Sequence, residues 1–101
     1  EQLAEAAAIL RAAGDEGRLR LLERLLVGPC CVSELAAAEG LGLSTVSQQL
    51  RVLRSARLVQ RRREGKHVYY SFQDQLIGAL VQNVLDHVAE GRINQEEDHE
   101  R

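Results

Sequence analysis

Residues 43–72 read LSTVSQQLRVLRSARLVQRRREGKHVYYSF, and the hydrophobic period changes halfway along. In the first half Leu43, Val46, Leu50 and Leu53 fall three or four apart, the spacing that lines one face of a helix. Ser44 sits where an N-cap is expected, because its hydroxyl can accept a hydrogen bond from an unpaired amide of the first turn. After Arg57 the pattern becomes strand-like: Leu58 and Val59, a charged turn around Glu64 and Gly65, then Val68, Tyr69, Tyr70 and Phe72. Two short strands joined at Gly65 form a hairpin. A helix running directly into a basic hairpin is the arrangement of a winged helix, in which the helix enters the DNA major groove and the wing lies along the backbone.

The charges of this stretch point the same way. From Arg51 to His67 there are seven cations (Arg51, Arg54, Arg57, Arg61, Arg62, Arg63 and Lys66) against one anion, Glu64. The chain as a whole carries 13 Lys and Arg against 15 Asp and Glu, so the rest of it is strongly acidic. Cations clustered on one element make a local field that attracts phosphates even when net charge is near zero. His67, in the same basic turn, is expected to contact phosphate too. Ser44, Thr45, Ser47, Gln48 and Gln49, at the front of the helix, add short hydroxyls and amides that can hydrogen-bond base edges. The plain alternative is a solvated basic face beside an ordinary hairpin. Against it stands position: the polar helix tip, the basic helix flank and the basic turn would all face one side of a winged helix.

Outward from this stretch the chain reads as helices. Hydrophobic residues make up 45% and aromatics only 3%, so the core must be built from Leu, Val, Ile and Ala, which suits packed helices. Residues 1–13 form an Ala-rich helix with few large side chains, which needs a partner to be stable. Asp15 can cap a second helix with the stripe Leu19, Leu22, Leu25 and Leu26, which Gly28-Pro29 ends. Residues 33–39 give a short third helix, and Gly40 and Gly42 mark the turn of a helix-turn-helix. Beyond the wing, Leu76, Ile77, Leu80, Val81, Val84, Leu85 and Val88 predict a long helix whose apolar face is wider than one stripe. Such a face is expected to be covered by a second subunit.

The predicted fold is therefore mainly α with a small β-hairpin, a winged helix-turn-helix in the order α-α-α-α-β-β-α, dimeric through its first and last helices. Residues 1–91 make the DNA-binding and dimerisation domain, and 92–101, RINQEEDHER, a polar acidic tail expected to fray. At 101 residues this is one domain, in which a dimer interface could supply much of the buried surface. No apolar run approaches the ~20 residues that cross a membrane, and no signal peptide is visible, so the expected location is cytoplasmic. No nucleophile-base pair or phosphate loop appears, and an enzyme is not expected.

The segments VSQQLRVLRSARLV and GKHVYY, with the later QDQLIGALVQNVLDHVAEG, resemble the ArsR/SmtB family of bacterial metal-responsive repressors, and most closely its zinc-sensing SmtB-type members. The resemblance runs from about Leu10 to Gly91. It implies a homodimeric repressor that leaves its operator DNA when an inducer, commonly a metal ion, binds. The family's usual Asp-Pro-x-Arg is Asp15-Glu16-Gly17-Arg18 here; the missing Pro bears on helix entry.

The resemblance also implies where an inducer would bind. Asp74, His87 and Glu90 match three of the four positions by which SmtB-type members hold zinc between their last helices, and the fourth, a His in the family, is Leu76 here. A tetrahedral zinc site takes four donors, so three leave a place for water or for Gln75. Asp74 lies thirteen residues before His87, about 20 Å along a helix, so any metal here would bridge two subunits. Against this, Asp74 could be an N-cap, and His87 and Glu90 simple surface residues near a helix end.

Cys31 matches the thiol of the family's CVC motif in the third helix; the motif's second Cys is Ser33 here, and Cys30 is adjacent. Cys30 and Cys31 thus form an alternative thiol sensor for soft metals or oxidants, since a helix N-terminus favours the thiolate. The competing reading is that they are small buried hydrophobes. No metal is required for the fold. Two alternatives stand beside the inducible repressor: a winged-helix protein-protein interaction module whose basic face meets an acidic partner, and a ligand-independent regulator with a vestigial metal site.

Overall fold

A computed structural model describes residues 1–99, with side chains described as far as Gly91. Five helices and one hairpin follow the predicted order: α1 (Gln2–Ala13), α2 (Glu16–Leu25), α3 (Val32–Glu39), α4 (Leu43–Ser55), β1 (Val59–Glu64), β2 (His67–Phe72) and α5 (Gln75–His99).

Helix α2 lies at the centre, packed against α1, α3, α4, β2 and α5. Leu21 and Leu22 are 0% exposed, as are Val46, Leu50 and Leu53 of α4 and Leu58 and Val59 at the entry to β1. Ala12 of α1, Leu25 of α2, Leu35 and Ala36 of α3, Tyr70 of β2 and Val81 of α5 complete the core. Each large aliphatic side chain withdrawn from water contributes about 1.5–3 kcal/mol. Asp15 caps α2 as expected, accepting a hydrogen bond from the Arg18 amide at 3.0 Å. Arg24 then ties α2 to the end of α3, donating to Glu39 Oε2 at 2.7 Å and to the Ala38 carbonyl at 3.2 Å. Gly40 ends α3 with φ 65°, and the turn leads into α4.

The exit from α4 is a Schellman closure: the Leu58 amide reaches the Leu53 carbonyl at 2.9 Å and the Arg57 amide the Arg54 carbonyl at 3.0 Å. Its left-handed position is held by Arg57, φ 63°, where glycine is usual and a side chain costs about 1–2 kcal/mol. The hairpin that follows is antiparallel, with Val59 opposite Phe72 and Glu64 opposite His67. Gly65, φ 62°, is the first residue of its two-residue loop, the place a type II′ turn gives to glycine. The linker before α3 adds a short third edge, since Cys30 and Tyr70 exchange backbone hydrogen bonds of 3.0 and 2.7 Å. The wing is thereby fastened to the helix-turn-helix.

Three expectations need correction. Ser44 is not the N-cap of α4: Gly42 holds that position in extended backbone, and Leu43 opens the helix. The third helix starts one residue earlier than expected, at Val32, and Cys30 belongs to the bridge with Tyr70 and not to the helix start. The helix after the wing does not end at Gly91 but runs on to His99, through most of the segment expected to fray. The reason is that Gly91 lacks the left-handed turn that closes α3 at Gly40, and a lone glycine costs a helix only about 1 kcal/mol. The last two residues of the expected tail, 100 and 101, lie outside the described residues.

Candidate nucleic-acid interface

The buried stripe of α4 fixes what the opposite side presents. With Val46, Leu50 and Leu53 turned into the core, Ser44, Gln48, Arg51 and Ser55 fall at intervals of four, three and four along the outer face, and all four are exposed. Thr45 and Ser47 flank this stripe, also exposed, and Arg54 extends the face toward the wing. Such a row of hydroxyl, amide and guanidinium groups on one helix has the chemistry to meet base edges and phosphates together.

Gln49 is placed apart from them. It is half-buried, and its carbonyl oxygen accepts from Arg18 Nη1 at 3.2 Å. In the sequence Arg18 stands out only as part of the helix entry, yet it joins three elements. Its Nε donates to the Ala12 carbonyl at 2.6 Å and its Nη2 to the Arg11 carbonyl at 3.4 Å. One guanidinium thus holds the end of α1, the start of α2 and the middle of α4 together. The signal that could have found it was Asp15-Glu16-Gly17-Arg18 itself. Gly17 fits the same joint, since a Cβ there would meet Asp15 Oδ2 at 3.3 Å.

In the hairpin the three successive arginines divide between two faces, because side chains alternate along a strand. Arg61 is paired with Tyr70 and Arg63 with Val68, on the side of Val59; Arg62 is paired with Tyr69 on the other. All three are exposed, as are Lys66 and His67 at the turn. Arg62 is also held by Glu64, Nη2 to Oε1 at 2.6 Å, with both side chains largely in solvent. The expectation of one uniformly basic face is therefore modified: Arg61 and Arg63 are free of carboxylates among the described residues, and Arg62 is not.

The residues singled out for an inducer do not converge within one subunit. Asp74 caps α5, its Oδ1 accepting from the Ile77 amide at 3.0 Å, and His87 and Glu90 are exposed far along the same helix. Among the described residues no group of three or more His, Cys, Asp or Glu could hold a metal ion. Leu76, at the position of the family's fourth ligand, is 79% exposed.

Cys30 and Cys31 are both free and half-buried. Burial pushes the Cys30 thiol above its usual range, and the nearby Glu34 and Cys31 add to the rise, so Cys30 is not the ready thiolate that a helix start would favour. Cys31 is the N-cap of α3. Its amide donates to Glu34 Oε1 at 3.0 Å, and its Sγ lies 3.2 Å from Ser33 Oγ.

An exposed polar stripe on the second helix of a helix-turn-helix, with a cationic hairpin beside it, defines a winged-helix DNA-binding protein. Residues 15–61 match the description "Bacterial regulatory protein, arsR family". Over 90 residues the chain is 44% identical to the "Transcriptional repressor SmtB homolog" of a Synechocystis strain, covering 89% of this chain and 68% of that one. It is 39% identical over 84 residues to the "HTH-type transcriptional regulator NmtR" of Mycobacterium tuberculosis, covering 83% and 70%. In three dimensions it superimposes with a TM-score of 0.84, at 32% identity and covering 88% of this chain and 82% of the other, on a homodimeric winged helix-turn-helix DNA-binding domain from Mycobacterium bovis. The chain belongs to the arsR family of bacterial regulatory proteins. It is a DNA-binding transcriptional regulator and not an enzyme.

Proposed function

We propose that this chain represses transcription as a homodimer, reading the two halves of a palindromic operator with α4 and gripping the backbone with the wing. The observation that carries the reading is the exposed row Ser44, Gln48, Arg51 and Ser55 beside the arginines of β1. The dimer rests on what α1 and α5 leave uncovered. Leu3 is 78% exposed, Leu10 62%, Val84 46% and Val88 54%, and Leu10, Leu80 and Val84 line a shallow apolar recess of about 180 Å³ between the two helices. A second copy would cover it, as the homodimeric relative from Mycobacterium bovis suggests. No helix among the described residues is long and apolar enough to cross a membrane, which agrees with a cytoplasmic regulator.

Release would follow from an inducer with unequal affinity for the free and DNA-bound arrangements, and a coupling of ~1–3 kcal/mol lowers operator affinity about fivefold to over a hundredfold. A divalent metal ion such as zinc is the inducer that the donors suit. Asp74 of one subunit with His87 and Glu90 of the other offers two carboxylates and one imidazole; the cap uses only Oδ1 of Asp74, which leaves its second oxygen for a ligand. The test is release of a promoter fragment on adding zinc. His87→Ala should keep DNA binding and lose release, and Leu76→His should raise zinc affinity. Equal release from His87→Ala, or loss of response only in Cys31→Ser, would move the sensor to the thiols.

A further inference from the structure

The groove between α1 and α4 borders the outward row of α4 and shares no lining residue with the wing or with the apolar recess of α1 and α5. It measures about 490 Å³, with walls that include Ala12, Val52 and Ala56, and Arg11, Arg18 and Arg51 stand around it. Arg18 is occupied by its three acceptors. Arg11 and Arg51 are exposed, and among the described residues neither has a carboxylate within ion-pair distance. Arg11 is the only cation of α1, a helix otherwise rich in alanine and leucine. Like charges gathered at one groove repel one another and lower the free energy of any anion placed among them. The groove shares Arg51 and Ser55 with the outward row of α4, so a duplex lying along that row passes its mouth.

We propose that Arg11 is a DNA-contacting residue, and that the α1–α4 groove receives a backbone phosphate of the duplex whose bases face Gln48. Arg11 donates to the phosphate from α1 and Arg51 from α4; planar guanidinium groups suit phosphate oxygens in paired hydrogen bonds. The footprint on DNA then includes the first helix as well as the helix-turn-helix and the wing. This inference rests on the DNA-binding reading above.

The test is binding of the full chain to its promoter fragment and to a random duplex across a range of salt concentrations. Arg11→Ala should weaken both about three- to tenfold, and the slope of log affinity against log salt should fall by about one for each subunit bound. Arg11→Lys should restore most of the slope. Arg20→Ala, whose guanidinium is already held by Glu16 at 2.6 Å, serves as the control and should change neither. In a set of duplexes each carrying one uncharged methylphosphonate, one position should weaken the unmodified protein clearly more than Arg11→Ala, in which only Arg51 is left to lose that phosphate. That comparison is made between DNAs for one protein, so a loss of stability in the variant does not disturb it. A slope unchanged in Arg11→Ala, or no position that separates the two proteins, overturns the inference while leaving DNA binding in place. Absence of salt-dependent binding by the unmodified protein overturns the DNA reading itself.

Discussion

Helix α4 hides Val46, Leu50 and Leu53 completely and turns hydroxyls, amides and arginines to the outside, whereas α5 hides only Val81 among its described side chains and leaves Leu76, Val84 and Val88 in solvent. Both helices carry alternating apolar and polar residues. The difference lies in what each leaves without a partner, and it separates two kinds of surface. The outer face of α4 is mainly polar and cationic, although Leu43 and Val52 are also exposed, so most of it is at ease in water and gains from meeting a polyanion. The face of α5 is apolar, and every 100 Å² of it covered contributes roughly 2.5 kcal/mol. One helix is finished and awaits a ligand; the other is unfinished and awaits a second subunit.

The comparison breaks most visibly if α5 is made polar. Replacing Leu80 and Val84 together by Asp should give monomers in sedimentation and lower affinity for a palindromic site by about a hundredfold or more, because the second half-site then no longer binds as part of one molecule. If the unmodified chain is itself a monomer at micromolar concentration, the reading of α5 fails. On α4 the expected changes are smaller and of two kinds. Gln48→Ala should cost about 1–3 kcal/mol on the operator and little on random DNA, because an amide on the outer face can read a base edge. Equal loss on both DNAs would remove Gln48 from base reading. Arg62→Ala should weaken both DNAs alike by severalfold, since a phosphate contact carries no sequence information and Arg62 must first give up Glu64.

The smallest effect belongs to the cap at the start of α3. Glu34 is held below its usual carboxyl range, first by the hydrogen bond from the Cys31 amide and then by the Cys31 side chain. A lowered folded-state value means that the stabilisation is present above the ordinary glutamate range and is lost as pH falls through the lowered value. Thermal melts of Glu34→Gln should therefore run slightly below the unmodified protein at neutral pH and converge with it in acid. The group is fully exposed, so the gap should be small. A gap that widens in acid would contradict the assignment.

The legibility of these two helices from sequence differed for a physical reason. The path from α4 into the hairpin was readable because the period of the apolar residues changes from that of a helix to that of a strand at Arg57, and because glycine marks the turn at Gly65. The cap of Asp15 and the turn marked by Gly40 and Gly42 are readable as local chemistry. What escaped depends on contacts between distant parts of the chain. Gln49 was grouped with the base-reading residues by its position near Gln48, but Arg18, 31 residues earlier, takes its carbonyl oxygen. Three arginines in a row looked like one basic patch, yet strand pleating puts Arg62 on the opposite side from Arg61 and Arg63. The end of α5 was misplaced because a glycine stops a helix only when the chain turns left-handed there, which the residue type alone does not decide. The metal positions were suggested by resemblance, and their separation along one helix is why no single subunit brings them together.

The central claim is that the face of α4 left open by the core reads DNA, and the most direct measurement is the affinity of the unmodified chain for its own promoter fragment and for a scrambled duplex as salt is raised. The claim predicts that affinity falls steeply and linearly on a log–log plot for both DNAs, with the promoter preferred about a thousandfold or more at moderate salt. Equal affinity for the two duplexes, or a slope near zero, would contradict it.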